Sequence, residues 1–269
     1  MHDATPEEPR DTSRTIEDLI AHMQALLGPM EGDGDPKRYF LSTYLRTTRA
    51  VADELASGNF LDPAWVERWD VFFASLYLDA LKTWNANGTP TEPWRVAFAA
   101  DAALPVLRHV LLGINAHINY DLPLSLLGVI DDAEFADPDV MAKRNQDHTH
   151  IDAVLLGRVG AEDEAITAAH GGKNIYERLK APLERRATGR FLREARAKVW
   201  ANTRLMAAAR SRGDAAGLER LRAELARLSA AKLDELAQAR EVLLHLWIRG
   251  FGVRLDEPQG RSEEEGHWR

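Results

Sequence analysis

Two histidine–aspartate pairs, each spaced four residues apart, are the groups in this sequence best suited to chemistry. His117 and Asp121 form the first H-x-x-x-D pair, and His148 and Asp152 form the second. Residues four apart share one face of an α-helix, so each imidazole and carboxylate can converge on one point. Such a pair can ligate a metal ion, or the carboxylate can orient the imidazole as a general base. An ordinary side-chain hydrogen bond is the structural alternative.

The first pair lies within residues 104–127, which are among the most apolar of the chain. Besides the pair itself, this stretch carries His109, Asn115 and Asn119. A buried polar group costs roughly 1–3 kcal/mol unless it finds a partner or a ligand. A helix that only filled a core would use leucine and alanine at these positions. The stretch is therefore the first place to look for a site.

One helical row of this stretch holds several of the candidates. His109 and Gly113 precede His117 and Asp121 at steps of four residues. Gly113 removes a side chain where a ligand or a partner could approach closely, since glycine inside a helix otherwise costs about 1 kcal/mol. His109 is a further candidate catalytic residue, with a core histidine bonded to a carbonyl as the alternative. Asn115 and Asn119 fall on the opposite face, where they contact a substrate or bridge helices.

The two pairs together would make a metal site if their helices face each other. His117, Asp121, His148 and Asp152 would then supply two imidazoles and two carboxylates, a set that suits Zn, Mn or Fe(II). The chain has no cysteine, so thiolate ligands and a cysteine nucleophile are excluded. We predict a divalent-metal site between the central helix and a helix at residues 138–169. No organic cofactor is predicted.

Three further residues could bind a substrate. Arg144 lies one turn before His148, and Tyr44 and Arg46 lie on an earlier predicted helix. Arginine presents a planar fork of donors that fits an anionic group. A solvated helix face with salt bridges is the alternative for these arginines. Asp70 and Asp79 lie among aromatic residues, where a carboxylate would have a raised pKa or a partner.

Composition limits the classes of protein. The 269 residues are 45% apolar and 28% charged, as in a globular protein with a sizeable core. A net charge of −8 argues against a general nucleic-acid binder. No run of about 18 apolar residues predicts a membrane span, and the polar start predicts no signal peptide, so we expect a cytoplasmic protein. Nucleotide-binding glycine loops, G-x-S-x-G and H-E-x-x-H are absent.

The periodicity of apolar residues predicts an all-α fold. One helical-bundle domain should span residues 13–255, between a disordered arm at 1–12 and a loose tail at 256–269. Gly28-Pro29 is expected to end the first helix, and Pro123 to end or kink the central one. Residues 175–250 predict a long antiparallel helical hairpin, either a subdomain or the outer wall of the bundle. Leucines left exposed on it would favour a homodimer.

Four passages carry a resemblance to a bacterial domain family catalogued as of unknown function: RYFLSTYLRTTRAVADEL, FLDPAWVERWDVFFASLYLDAL, LPVLRHVLLGINAHINYDLP and RNQDHTHIDAVL. It covers roughly residues 36–250 and implies no activity and no residue role. The H-x-x-x-D pairs also resemble, by analogy, sites of the helical zinc phospholipase C fold and its related nucleases. The N-terminal tryptophan ligand of that fold has no counterpart in a chain beginning Met1-His2-Asp3.

These patterns predict a small-molecule enzyme with a buried His/Asp pocket that depends on a divalent metal. The reaction would be hydrolysis by metal-activated water, or an elimination or cyclisation in a biosynthetic pathway. One alternative is a metal-free His–Asp acid/base enzyme. Another is a non-catalytic helical binding or scaffold protein whose polar groups form a structural network. An enzyme needs a partly apolar cavity that reaches these groups, whereas a scaffold would bury them mutually bonded.

Overall fold

The computed structural model describes residues 13–159 and 182–256. The predicted arm at 1–12 and residues 257–269 of the predicted tail lie outside the described residues. So do the predicted start of the hairpin at 175–181 and the side chain of Asp152.

Helices make up the described chain, which confirms the all-α prediction, and no strand occurs within those two ranges. They are α1 (Ile16–Gly32), α2 (Arg38–Ala56), α3 (Pro63–Asn85), α4 (Glu92–Phe98), α5 (Val106–Ala116), a π-helical segment (His117–Asp121), α6 (Leu122–Val129), α7 (Asp132–Ala136), α8 (Pro138–Val159), α9 (Pro182–Ser211), α10 (Ala215–Gln238) and α11 (Val242–Arg249). No helix in the described ranges is long and apolar enough to cross a membrane.

The first helix, α1, continues past its predicted end at Gly28-Pro29. The Thr15 hydroxyl accepts a hydrogen bond from the Asp18 backbone N–H at 3.1 Å, which caps α1. The prediction that Gly28-Pro29 ends this helix is wrong, because α1 continues to Gly32 with Pro29 inside it. Proline removes one backbone hydrogen bond, but Met30 is buried in the core and stabilises the additional turn.

The central helix remains helical through Pro123 by widening just before it. α5 ends at Ala116, and the backbone N–H of Leu122 then bonds to the His117 carbonyl, five residues back. Proline has no N–H to donate, and its ring would crowd the carbonyl four residues back, so the wider turn accommodates it. The first histidine–aspartate pair therefore lies in the π-helical segment rather than in a regular α-helix.

The central run from α5 to α6 forms the axis of the domain. Its first half contacts α2, α4 and α10, and its second half contacts α3 and α9. Leu112, Ala116 and Leu126 are fully buried along it. α9 and α10 contact each other across a turn at residues 212–214, where Gly213 has a φ of 69°. α10 ends at Gln238, twelve residues before the predicted end of the hairpin at residue 250, and α11 is a separate helix.

Candidate functional site

A side-chain hydrogen bond joins the two residues of the first pair. His117 Nδ1 lies 2.8 Å from Asp121 Oδ2, and both side chains are buried. The Trp94 indole N–H donates to the same Asp121 oxygen at 2.8 Å. With Asp121 ionised, Nδ1 carries the proton and donates it to the carboxylate, which leaves a lone pair on Nε2. The carboxylate therefore fixes both the tautomer and the orientation of the ring.

Aromatic rings enclose the His117 imidazole on several sides. Phe73 stacks on it with ring centroids 3.6 Å apart and planes 8° apart, and Tyr44 meets it edge-on at 4.6 Å. Three more rings lie at centroid distances of 5.9–6.2 Å, namely those of Phe40, Tyr77 and Trp94. Spacings of four residues on α2 and on α3 place two rings from each helix on the face that meets His117.

Four polar atoms in and beside this shell are buried without a hydrogen-bond partner among the described residues. They are His117 Nε2, the hydroxyl oxygens of Tyr44 and Tyr77, and Asp70 Oδ2. Each such atom costs roughly 1–3 kcal/mol if nothing satisfies it. Buried polar atoms of folded proteins nearly always have partners, so four together are an exception that bound water or a ligand would remove. These four residues, together with Asp121 and the rings of Phe40, Phe73 and Trp94, are called the His117 chamber below.

Burial sets the protonation states in the His117 chamber. It lowers the pKa of His117 and raises that of Asp121, while the hydrogen bond between them opposes both shifts. Burial also raises the pKa of Asp70 to about 7. The pKa of Tyr44 lies well above its usual value because of burial and of the charges on Asp70 and Asp121. Near pH 7 the chamber therefore holds a neutral imidazole, neutral tyrosine hydroxyls and a carboxyl group close to half protonation.

The second histidine has a different partner. His148 Nδ1 accepts a hydrogen bond from Arg196 Nε at 3.1 Å, and the imidazole lies between the rings of Trp69 and Trp200. Burial and the guanidinium charge lower the pKa of His148 to about 3. The Asp152 side chain lies outside the described residues, so the predicted pairing with His148 is untested.

The predicted four-residue metal set also stays a prediction. The two imidazoles pack on neighbouring rings of α3, since His148 contacts Trp69 and His117 contacts Phe73. Those two rings are stacked with centroids 6.3 Å apart. Within the described residues, no group of three or more His, Asp or Glu side chains is arranged to hold a metal ion.

Arg144 and the neighbouring Asp147 are tied to the loop before α3. The Arg144 guanidinium bonds to Asp62 Oδ2 and to Glu134 Oε1, each at 2.6 Å. The Asp147 carboxylate accepts from the backbone N–H groups of Leu61 and Asp62 at 2.8 and 2.9 Å. Both terminal nitrogens of the Arg144 guanidinium therefore bond to protein carboxylates. The Asp147 contacts escaped sequence analysis because their partners lie more than 80 residues away.

The two asparagines of the central helix bind protein groups. Asn119 Nδ2 donates to Asn115 Oδ1 at 2.9 Å and to the Phe251 carbonyl at 3.0 Å, and Asn119 Oδ1 accepts from the Val253 N–H at 3.2 Å. Asn115 Nδ2 donates to the Leu111 carbonyl at 3.1 Å. Their polar atoms therefore join the central helix to the C-terminal segment, close to the bridging role that sequence analysis kept open.

The remaining candidates are His109, Gly113 and Arg46. His109 is buried beside a cleft of about 20 Å³, large enough for about one water, and its Nε2 has no partner in the described part of the chain. A Cβ on Gly113 would overlap the Phe40 ring, so this glycine admits the ring. Arg46 donates to Ser42 and Thr43 on its own helix.

The role of Trp94 as the second hydrogen-bond donor to Asp121 was not predicted from the sequence. The two residues are 27 positions apart on different helices, and no local pattern links them. The stacking of Phe73 on His117 was missed for the same reason, because these two residues also lie on different helices.

The chain belongs to a protein family whose members have no assigned function. The model of this family, described as "Family of unknown function (DUF5995)", matches residues 16–239 and confirms the resemblance suspected from the sequence. A search of curated proteins and a search of solved structures each found no match.

Proposed function

We propose that this member of the DUF5995 family is a small-molecule enzyme in which His117 acts as a general base. The observation that carries the proposal is the unpartnered Nε2 of an imidazole whose other nitrogen is bonded to Asp121. A positioned base of this kind contributes on the order of 10²–10⁴ in rate. A purely structural histidine would be expected to use both nitrogens.

The chamber supports an elimination better than the other predicted reactions. An acidic C–H bond of the substrate would break as its proton passes to His117 Nε2. A carbon–oxygen bond at the adjacent carbon would break as the departing oxygen takes the proton of Asp70, so that water leaves and a double bond forms. The burial that raises the pKa of Asp70 to about 7 keeps a useful fraction of it protonated.

The hydroxyl groups of two tyrosines would stabilise the negative charge that develops in this reaction. The O–H groups of Tyr44 and Tyr77 are neutral donors without a partner in the described residues. Directed at a substrate carbonyl, they would stabilise the negative charge that develops on its oxygen when the neighbouring C–H is deprotonated. The aromatic rings around them exclude water, which strengthens these hydrogen bonds.

A divalent metal remains part of the proposal as a variant of the same site. The free Nε2 of His117 is the atom that would bind the metal, and Asp121 would then orient the ligand from behind, as carboxylates commonly do for metal-bound histidines. Asp70, whose Oδ2 has no partner among the described residues, would be a candidate second ligand. This arrangement differs from the predicted set, in which Asp121 itself is a ligand.

Proton transfer can be tested without knowing the substrate. A pool of small 3-hydroxy carbonyl compounds is incubated with the protein in D₂O and followed by ¹H NMR. We expect one or more members to exchange an α-proton or to lose water with wild-type protein and not with His117→Gln. Addition of EDTA before the assay distinguishes the two forms of the site, because only the metal-dependent one would lose activity.

One result would contradict the proposal. If His117→Gln and wild type process the pool at the same rate, His117 is not the base. The chamber would then be a structural network with bound water, as the scaffold alternative requires. Circular dichroism of both proteins controls for loss of fold.

A further inference from the structure

Residues 251–255 form a C-terminal strap that is held mainly through its backbone. Asn119 binds the Phe251 carbonyl and the Val253 N–H, and Asn202 on α9 binds the Val253 carbonyl and the Leu255 N–H at 3.1 and 2.9 Å. The two asparagines therefore make the same kind of two-point contact with neighbouring parts of the strap.

Further contacts fix the strap between α9 and the central helix. Lys198 Nζ donates to the Gly252 carbonyl at 2.8 Å, and Glu194 accepts from the Phe251 N–H at 3.1 Å. Phe251 and Leu255 are buried. A Cβ on Gly252 would lie 3.1 Å from the Ala195 Cα, so the strap approaches α9 closely only because this residue is glycine.

Asn119 differs from Asn202 in where it is attached. Asn119 is the middle residue of the π-helical segment, two positions from His117 and two from Asp121. A π turn is effectively one extra residue in a helix, so a return to α geometry would rotate the residues after it by on the order of 100° relative to those before it. Asp121, which accepts the Trp94 hydrogen bond, is the last residue of this segment, so such a rotation would displace its carboxylate relative to Trp94.

We propose that the docked strap, acting through Asn119, holds the π-helical segment in the geometry that aligns His117 with Asp121. Asn119 is then a positioning residue for the proposed enzyme, and the strap is a structural condition of the site. The positioning role of Asn119 rests on the proposed function only where it predicts an effect on catalysis. The alignment itself is a property of the resting protein and can be observed without a substrate.

The test compares Asn119→Ala with Asn202→Ala in the full chain. Each variant removes two hydrogen bonds to the strap. Asn119→Ala also removes the bond to Asn115 Oδ1, so it should destabilise the fold somewhat more than Asn202→Ala. The readout is the ring ¹⁵N NMR spectrum of histidine-labelled protein, with the His117 signals assigned from their absence in His117→Gln. We expect Asn119→Ala to shift the His117 signals away from the Nδ1–H form, and Asn202→Ala to leave them within a third of that change.

Val253→Pro provides a second route if Asn119→Ala does not fold. It removes the strap N–H that Asn119 accepts and leaves the asparagine in place. We expect the same direction of change in the His117 signals. Unchanged signals in the variants that fold, or an equal change in Asn202→Ala, would overturn the positioning role.

Catalysis gives an independent measurement. We expect Asn119→Ala to lower the rate of proton exchange by about tenfold, and Asn202→Ala by less than twofold, because small displacements of a reacting group cost large factors. If the NMR result holds and the wild type catalyses no exchange, the proposed function fails while the positioning role stands. If exchange is catalysed and the NMR signals do not move, the positioning role fails alone.

Discussion

His117 and His148 are both buried, and both pack against aromatic rings of α3, one helical turn apart. His117 stacks on Phe73 with centroids 3.6 Å apart, and His148 stacks on Trp69 at 5.2 Å. In the sequence each begins an H-x-x-x-D pattern. The difference lies in the charge beside each ring, since His117 Nδ1 contacts a carboxylate and His148 Nδ1 contacts a guanidinium.

The sign of the neighbouring charge decides what each imidazole can do. Asp121 stabilises a proton arriving at His117, so this ring can accept a proton from a substrate. Arg196 opposes a proton on His148, whose pKa of about 3 keeps it neutral over the physiological range. His148 therefore serves as a hydrogen-bond acceptor for Arg196. Equal sequence patterns have produced one candidate base and one neutral acceptor.

The largest expected effect separates the two histidines by activity. His117→Gln should lower catalysed proton exchange by 10²–10⁴-fold, the usual contribution of a general base, and His148→Gln by about threefold at most. The comparison is made from initial rates in D₂O at equal concentrations of folded protein. Loss of activity in both variants, with loss of bound metal, would instead support the predicted metal site that spans the two helices.

The next largest effect is a fall in the free energy of unfolding as the pH rises, caused by Asp70. Its pKa is raised from 3.8 to about 7 in the folded protein, so the native state retains a proton that the unfolded state releases. The stabilisation is complete below pH 3.8 and is lost as the pH rises through 7, by about 3 kcal/mol between pH 4 and 7.

Urea unfolding of Asp70→Asn over the same range measures this contribution. The variant cannot ionise at this position, so its stability should change less between pH 4 and 7 than that of the wild type. Parallel curves for the two proteins would show that Asp70 titrates normally and does not serve as an acid near pH 7.

His148 should give an effect of the opposite sign. Its pKa is lowered from 6.5 to about 3, so its contribution is complete above pH 6.5 and is lost as the pH falls through 3. Between pH 6.5 and 4 the loss is about 3 kcal/mol. The acid side of the stability curve should therefore flatten in His148→Gln. An unchanged slope would place the titration of His148 at its ordinary pKa and remove the contrast with His117.

The smallest effect tests how closely the His117 chamber is packed against Gly113. In Gly113→Ala the new methyl group meets the Phe40 ring, and overpacking of this kind costs about 2 kcal/mol. Gly28→Ala is the matched control, because a Cβ at that helical glycine meets nothing within 4 Å and should stabilise by about 0.5–1 kcal/mol. Thermal unfolding measures both, and the His148 NMR signals should stay fixed in each.

Sequence patterns predicted those parts of the fold that depend on residues a few positions apart. Local structure of this kind needs no distant partner: Thr15 and Asp62 each cap a helix by accepting from the backbone N–H three residues later. The end of α1 was predicted wrongly because the burial of Met30 outweighs the effect of Pro29. The π-helical segment was not predicted, since it depends on how the turn before Pro123 packs as well as on the proline.

The sequence by itself determined the helices and placed His117 and Asp121 on one helical face, because residues four apart lie about one turn from each other in a helix. Only the tertiary structure decided that Trp94 would be the second donor to Asp121 and that Arg196 would be the partner of His148. It also decided that the Nε2 of His117 would have no partner among the described residues. Those outcomes depend on contacts between residues 27 or more positions apart, and such contacts are set by the packing of the whole core, which no short pattern in the chain specifies.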